Sequence, residues 1–469
     1  MANDTAMFQQ YTDHAPLCVM TQALFFHVLP PEVLNSVFAE QATVQYDFTV
    51  PFSAVTNIMA SVACRTRASV NAAHVAQAGT FPVSVQSLYA KIKGVELNVS
   101  RQLVVRSARR CEKLLECMPH GKLPPLLPGY AIRILDGNHL AGTEHRLAVL
   151  RPTSNAALPG KSLAVLDPES RLIVDLFPCE DGHAQERSLL PQVLETILPR
   201  QVWIADRNFC TAGFLHGIRE RLGFFLIRQH QGLPLELTGA RKHIGTSETG
   251  EVYEQAATLA DPANPARIMK LRRITVVLKQ ADRDGNAELH IVTNLTKTAA
   301  SALKVAELYR DRWLVETAFF NLTLNLRCEL NTLGYPKAAL FSFSVAVACY
   351  NILAVVQAAL SAAHEAAVIQ AEFSYYYMAR EILEVTQGML IALPPKAWDR
   401  FRRMTANEMA EYLQNIARQV NLSKYRKSKR GPKKPVVKLD YQNGHHDSTA
   451  KLLENKKTHV SLGPGNSHP

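Results

Sequence analysis

The sequence predicts an α/β fold: a strand-and-helix core from about residue 130 to 335, interrupted by a β-rich insertion and flanked by helical regions. Three observations predict it. Apolar residues recur at helical spacing up to about residue 125 and again beyond 336. From Tyr130 the period shortens to that of strands, and near residue 200 short apolar runs alternate with helical ones.

Residues 1–125 read as helical, with periodic stretches from Val83 to Leu97 and from Leu103 to Leu115. The second stretch carries Arg101, Arg106, Arg109, Arg110 and Lys113, which suit either a phosphate backbone or a solvated basic face. Pro124-Pro125 and Pro128-Gly129 then mark a boundary. Ile132, Ile134 and Leu135 lead into Asp136, and His145–Arg151, Ser162–Leu166 and Leu172–Phe177 read as further strands. A helix is expected from Ala184 to Leu198, a buried strand Val202-Trp203-Ile204-Ala205 ending at Asp206, a helix over 212–222 and a strand Phe224–Ile227.

Gly, Pro and polar residues break the pattern over 228–288, where one clear strand, Lys270–Leu278, predicts a β-rich insertion. The core resumes with Leu289–Leu295 and one long helix, Ser301–Leu326, so it comprises 130–227 and 289–335. On that helix Tyr309, Arg312 and Glu316 stand three and four residues apart and share a face. Residues 336–422 read as all-helical. The run 423–469 is poor in apolar residues, carries Lys424, Arg426, Lys427, Lys429, Arg430, Lys433, Lys434 and Lys438, and is expected to be a disordered basic tail.

Composition narrows the function. With 469 residues, 47% hydrophobic and 20% charged, the chain is globular, and its net charge of +11 favours a polyanionic partner through counterion release. The eight cysteines form no Cys-x-x-Cys pair and read as reduced thiols; Cys111 and Cys117 fall on different helix faces. Asp4 and Asp13, with no Lys or Arg before an apolar core, fit neither a secretory nor a mitochondrial signal. Ala338–Ala363 has no charged residue and is long enough to cross a bilayer, but its Ala, Ser, Asn351 and Gln357 favour a buried bundle helix, hence a protein without membrane attachment.

Asp136, Asp206 and Glu316 form a three-carboxylate series. In-line cleavage of a phosphodiester uses two hard divalent cations about 4 Å apart, one at the attacking oxygen and one at the leaving oxygen. Mg²⁺ takes oxygen ligands and only one or two protein carboxylates per ion, so three acids suffice for a pair. Any one of these residues alone reads as a turn, a helix cap or, for Glu316, a salt bridge to Arg312. Asp167, Asp175, Glu180, Asp181 and Asp311 read as turn or surface residues, and His139, His145 and His183 as polar loop residues.

Ile134-Leu135-Asp136-Gly137, Asp206-Arg207-Asn208-Phe209-Cys210-Thr211 and Tyr309-x-x-Arg312-x-x-x-Glu316 together resemble the DDE transposases of bacterial insertion sequences, in the insertion-sequence-four branch. The resemblance spans most of the chain and implies a ribonuclease-H-like catalytic core interrupted by a β-rich insertion. It implies Asp136, Asp206 and Glu316 as ligands of two Mg²⁺ ions, with Mn²⁺ as an alternative, and Tyr309, Arg312 and Arg207 as DNA contacts. It further implies an N-terminal DNA-binding domain, terminal inverted repeats and target DNA as substrates, cleavage followed by strand transfer, a homodimer on paired ends, and a bacterial cytoplasm with nucleoid association.

Two departures stand out. The family carries a Lys seven residues after the Glu, where this chain has Thr323, which offers DNA one hydrogen bond and no charge; Arg327, a turn further on, is the candidate substitute. Some relatives stack a flipped base on an aromatic residue of the insertion, where this chain has only Tyr253. The rival expectation is a catalytically weakened, transposon-derived DNA-binding protein.

Overall fold

Strand formation starts where the periodicity changes, and alternation decides which way each side chain points. In β1 (Ala131–His139), Ile132 and Ile134 enter one core and Leu135 the other; in β4 (Gln201–Ala205), Val202 and Ile204 divide from Trp203 and Ala205 in the same way. Between them lie β2 (Lys161–Asp167) and β3 (Leu172–Cys179), and after them β5 (Phe224–Arg228). β1, β4 and β5 are parallel neighbours, whereas β2 and β3 add antiparallel on the other side of β1. This computed structural model describes residues 2–44, 50–77, 83–140, 142, 158–282 and 285–428; the strand expected at His145–Arg151 lies outside them.

The insertion is built from three long strands where one was expected: β6 (Leu235–Thr246), β7 (Gly250–Ala260) and β8 (Ile268–Leu278). β9 (Glu288–Thr293) returns to pair antiparallel with both β8 and β5, so the sheet runs β3-β2-β1-β4-β5-β9-β8-β7-β6 without a break. β6 escapes sequence reading because it is an edge strand with most side chains in solvent, interrupted by Gly239 and Gly245 at positive φ near shifts of register.

Two expected helices are divided. The segment 184–198 forms a 3₁₀ turn, Glu186–Leu189, then a short helix, Leu190–Leu194, because Pro191 has no N–H and is accommodated only at a helix start. Ser301–Leu326 becomes Ala302–Arg310 and Trp313–Asn325. At the join, Asp311, Arg312, Leu314 and Val315 bond three residues back rather than four.

The helices of the two termini form one body. The apolar helix Pro336–Ala363 packs on Leu97–Glu116, Phe52–Ala63, Ala406–Ala417 and β3, and its most apolar 18-residue window is wholly buried inside the protein. Phe8 meets Trp398 edge-on at 4.9 Å, joining the first helix, Ala2–His14, to the C-terminal helix Pro395–Arg403. Of the basic residues on Leu97–Glu116, Arg101 pairs with Asp175 at 2.9 Å, Arg106 with Glu40, and Arg110 donates to the His27 carbonyl at 2.6 Å. That face is largely spent inside the molecule.

The compact unit runs to Lys427, four residues past the expected start of the tail. Tyr425 is buried, Arg426 pairs with Glu372 at 2.5 Å and Lys427 donates to the Ala371 carbonyl at 3.1 Å. The remaining cations of the tail, Lys429 onward, lie outside the described residues.

Candidate active site

Asp136 lies within β1 rather than at its end, because on the β2 side pairing continues from Asp136 with Ala164 to His139 with Lys161. On the β4 side the ladder stops at Leu135 opposite Ala205. Asp136 and Asp206 are therefore the first residues beyond that ladder on adjacent parallel strands. Alternation turns both to the face of Ile134 and Ile204, on which the helix Trp313–Asn325 packs.

The Tyr-x-x-Arg-x-x-x-Glu series fastens that helical segment to the two strands. Tyr309, buried, donates its hydroxyl to the Ala205 carbonyl at 3.4 Å, one residue before Asp206. Arg312 gives Nη1 to Asp136 Oδ2 at 3.1 Å and Nη2 to Glu316 Oε1 at 2.7 Å. The break at Asp311–Arg312 makes Glu316 a first-turn residue of the second helix, where the positive end of the helix dipole favours a carboxylate.

Burial pushes the Asp136 carboxyl up to about 6; Arg312 and the Gly137 N–H (2.9 Å) oppose this, and Glu316 and Asp206 add to it. Burial alone would lower the Arg312 guanidinium, but Tyr309, Asp136, Glu316 and Asp206 around it raise it. Burial also raises the Tyr309 phenol far above its ordinary range, so it stays a neutral donor. Beyond Asp136 on the same strand face, Asn138 Nδ2 is buried with no hydrogen-bond partner among the described residues, a donor suited to an anionic oxygen.

Among the described residues, no group of three or more His, Cys, Asp or Glu side chains is arranged to hold a metal ion. The Arg312 guanidinium stands as the cation between Asp136 and Glu316. The donor set itself, carboxylate oxygen throughout, matches hard divalent ions.

Arg207 is exposed in the 3₁₀ turn Arg207–Phe209 that follows Asp206. Thr323 is exposed near the end of the Glu316 helix, its hydroxyl donating to the Phe319 carbonyl at 3.0 Å. Arg327 is not a turn further along that helix, which ends at Asn325; its N–H donates to Ala63 O at 2.7 Å and its guanidinium to Ala68 O. Tyr253 is covered by Arg241, whose guanidinium carbon is 4.2 Å from the ring centre. Of the competing carboxylates, Asp175 holds Arg101, while Asp167 and Asp181 accept turn N–H groups at 3.0 and 2.9 Å. His145 lies outside the described residues, His183 is exposed, and His139 Nδ1 is 3.9 Å from Glu186.

Sequence reasoning passed over Glu186, Arg187 and Asn208, which meet behind the two aspartates, because nothing in their spacing links residue 186 to residue 208. It also passed over Trp313 and Phe320, both more than half exposed, which flank Glu316 three residues before and four after it. Large aromatic side chains on an outer helix face were the available signal.

No curated protein sequence matches this chain. A solved structure, a cryo-EM piggyBac transposase synaptic complex with hairpin DNA, is similar over 85% of each chain at 10% identity and a TM-score of 0.37, a likeness too slight to carry an argument. The family model for the transposase DDE domain matches residues 128–352, just under half of the chain, and that span contains Asp136, Asp206 and Glu316. Over residues 128–352 this chain is similar to the transposase DDE domain.

Proposed function

We propose that the protein is a metal-dependent DNA transposase of the insertion-sequence-four type, acting as a homodimer on the paired inverted-repeat ends of its element in the bacterial cytoplasm. The observation that carries the reading is the double fastening by Tyr309 and Arg312, which ties the segment carrying Glu316 to Asp136 and to the residue before Asp206. The order β3-β2-β1-β4-β5, with only β1, β4 and β5 parallel, supports a ribonuclease-H-like core. The net charge of +11 suits a DNA partner.

Asp136, Asp206 and Glu316 are the residues that would hold two Mg²⁺ ions. When bound, such ions supply Lewis-acid activation of the attacking oxygen and charge stabilisation at the leaving oxygen. Arg312, released from Asp136, turns its guanidinium to a non-bridging phosphate oxygen, and the Asn138 amide donates to the same anion. Water attacks phosphorus and the bond to the 3′ oxygen breaks, leaving a 3′-hydroxyl and a 5′-phosphate. That hydroxyl then attacks a target phosphodiester and displaces the target's own 3′ oxygen.

The test is Mg²⁺-dependent nicking of DNA bearing the element's own ends. Wild type is expected to nick and Asp136→Asn to bind without nicking; equal nicking by both overturns the assignment. One observation favours the rival, a DNA-binding protein with weakened catalysis: neither Thr323 nor the engaged Arg327 presents a free cation at the position of the family's Lys. Binding by wild type without nicking in Mg²⁺ or Mn²⁺ would establish that rival.

A further inference from the structure

Asp136 lies on β1 and Asp206 directly after β4, and from one face of the sheet Arg312 reaches Asp136 and Tyr309 reaches the Ala205 carbonyl. On the opposite face, the 3₁₀ turn Glu186–Leu189 lies against β2 and the turn Arg207–Phe209 that follows Asp206. Glu186 Oε2 accepts from Asn208 Nδ2 at 2.5 Å, and Arg187 Nε donates to the Asn208 carbonyl at 2.6 Å. Two consecutive residues thus grip both the side chain and the backbone of Asn208, two positions after Asp206.

Glu186 is also seated on β1. A β-carbon at position 137 would overlap Glu186 Oε1, so the glycine after Asp136 is what lets this carboxylate approach the strand. Glu186 therefore touches the residue following one aspartate and the turn following the other. Its side chain is 15% exposed, and the group opens on a polar cleft of about 440 Å³ lined by His139, Lys161, Gln185, Glu186, Arg187 and Asn208. The contact belongs to a polar surface at the strand ends rather than to either apolar core.

We propose that Glu186 and Arg187 are positioning residues that clamp the Asp206 turn to the Asp136 strand from behind, setting the separation of the two carboxylates for a divalent ion. The inference rests on the reading of Asp136 and Asp206 as metal ligands. Partners that orient ligands without touching the ion change metal affinity by about 10- to 100-fold when removed. The chemistry is specific: one of the two side chains, 186 or 208, must donate and the other must accept.

Calorimetric titration of the full-length, DNA-free protein with Mn²⁺ tests it, with melting temperature followed in parallel. Glu186→Ala is expected to weaken Mn²⁺ binding about tenfold while melting within a degree or two of wild type. Glu186→Gln keeps an acceptor oxygen and is expected to bind as wild type does. Asn208→Asp sets two carboxylates against each other and breaks the contact, whereas E186Q combined with N208D reverses donor and acceptor and restores binding to within about threefold of wild type. Unchanged affinity in Glu186→Ala, or a double variant no better than Asn208→Asp alone, overturns the clamp. Asp136→Asn separates the two levels. If wild type binds Mn²⁺, that variant does not and Glu186→Ala does so normally, the clamp fails and the metal-site reading stands; if wild type and Asp136→Asn are alike, both fall.

Discussion

The buried helix Pro336–Ala363 and the strand ends around Asp136 both take polar groups out of water, with opposite outcomes. In the middle of the helix, Asn351 is fully buried and matched on both sides: its carbonyl accepts from Ile173 N–H at 2.9 Å and its amide donates to Ile173 O at 2.9 Å. It stands in for a strand that β3, at the edge of the sheet, does not have. Asp136 is instead part-buried near two other carboxylates with one guanidinium among them, and its own charge is disfavoured there. The first arrangement holds the fold together. The second stores electrostatic free energy that a better-matched cation can release.

The largest expected effect removes the charge of Asp136. Asp136→Asn is expected to lower Mg²⁺-dependent strand cleavage at least a thousandfold, on the order of 4 kcal/mol in barrier, by taking away a metal ligand. DNA affinity, read by mobility shift, should stay within about threefold because phosphate contacts elsewhere supply it. The same variant is expected to melt no lower than wild type in metal-free buffer at pH 8. Clear destabilisation there would end the contrast between the two regions.

Asn351→Ala probes the opposite case. It leaves an N–H and a C=O of β3 buried without partners, each costing about 1–3 kcal/mol, so a loss of roughly 4 kcal/mol in urea denaturation is expected. Mn²⁺ affinity of the folded fraction should not change. An effect under about 1 kcal/mol would mean that the helix is held by apolar packing alone.

Acid titration distinguishes the regions without mutation. The Asp136 carboxyl sits at about 6 in the folded protein against an ordinary value of 3.8, so the folded state binds its proton more tightly. Its contribution to stability is complete below about pH 3.8 and is lost as pH rises through 6, up to roughly 3 kcal/mol at 1.36 kcal/mol per pH unit. His27 runs the other way: burial lowers it, the Phe401 carbonyl opposes this and Arg110 lowers it further, so its contribution is complete above pH 6.5 and is lost on acidification. Comparing metal-free wild type with Asp136→Asn from pH 4 to 7 isolates the first contribution. The wild type should lose stability relative to the variant as pH rises, and parallel curves would refute the raised value.

Parts of this contrast were legible in the sequence. Alternating apolar residues leading into Asp136 and Asp206 put both at one edge of the sheet, though each was expected to close its strand and β1 runs on to His139, and helical spacing put Glu316 and Arg312 on one face. The uncharged stretch from Ala338 was legible as a buried helix. The ion pair from Arg312 to Asp136 was not, because it joins residues 176 apart and depends on a break that helical periodicity does not encode. Within the expected β-rich insertion β6 and β7 gave no clear strand signal of their own, because a strand with a solvated face can be as polar as a turn. Glu186 had no local signal, since its role comes only from the approach of two segments to Gly137.

The smallest expected effect concerns a position between the two regions. Thr323 is exposed on the Glu316 helix, at the end fastened to the N-terminal helices through Arg65, which donates to Leu326 O at 3.4 Å, and through Arg327 bonded to Ala63. Because that end is held by backbone carbonyls, a new side chain at 323 can reach solvent without disturbing Asp136 or Glu316. Thr323→Lys is therefore expected to leave Mn²⁺ affinity and melting temperature unchanged and to strengthen binding to end DNA by about three- to tenfold at low salt. One added phosphate contact steepens the salt dependence of log affinity by about 0.9. If DNA passes along this face, the gain disappears at high salt; if affinity and slope both stay at wild-type values, the exposed end of the Glu316 helix lies outside the DNA path, and the carboxylates are approached from the other side of Trp313.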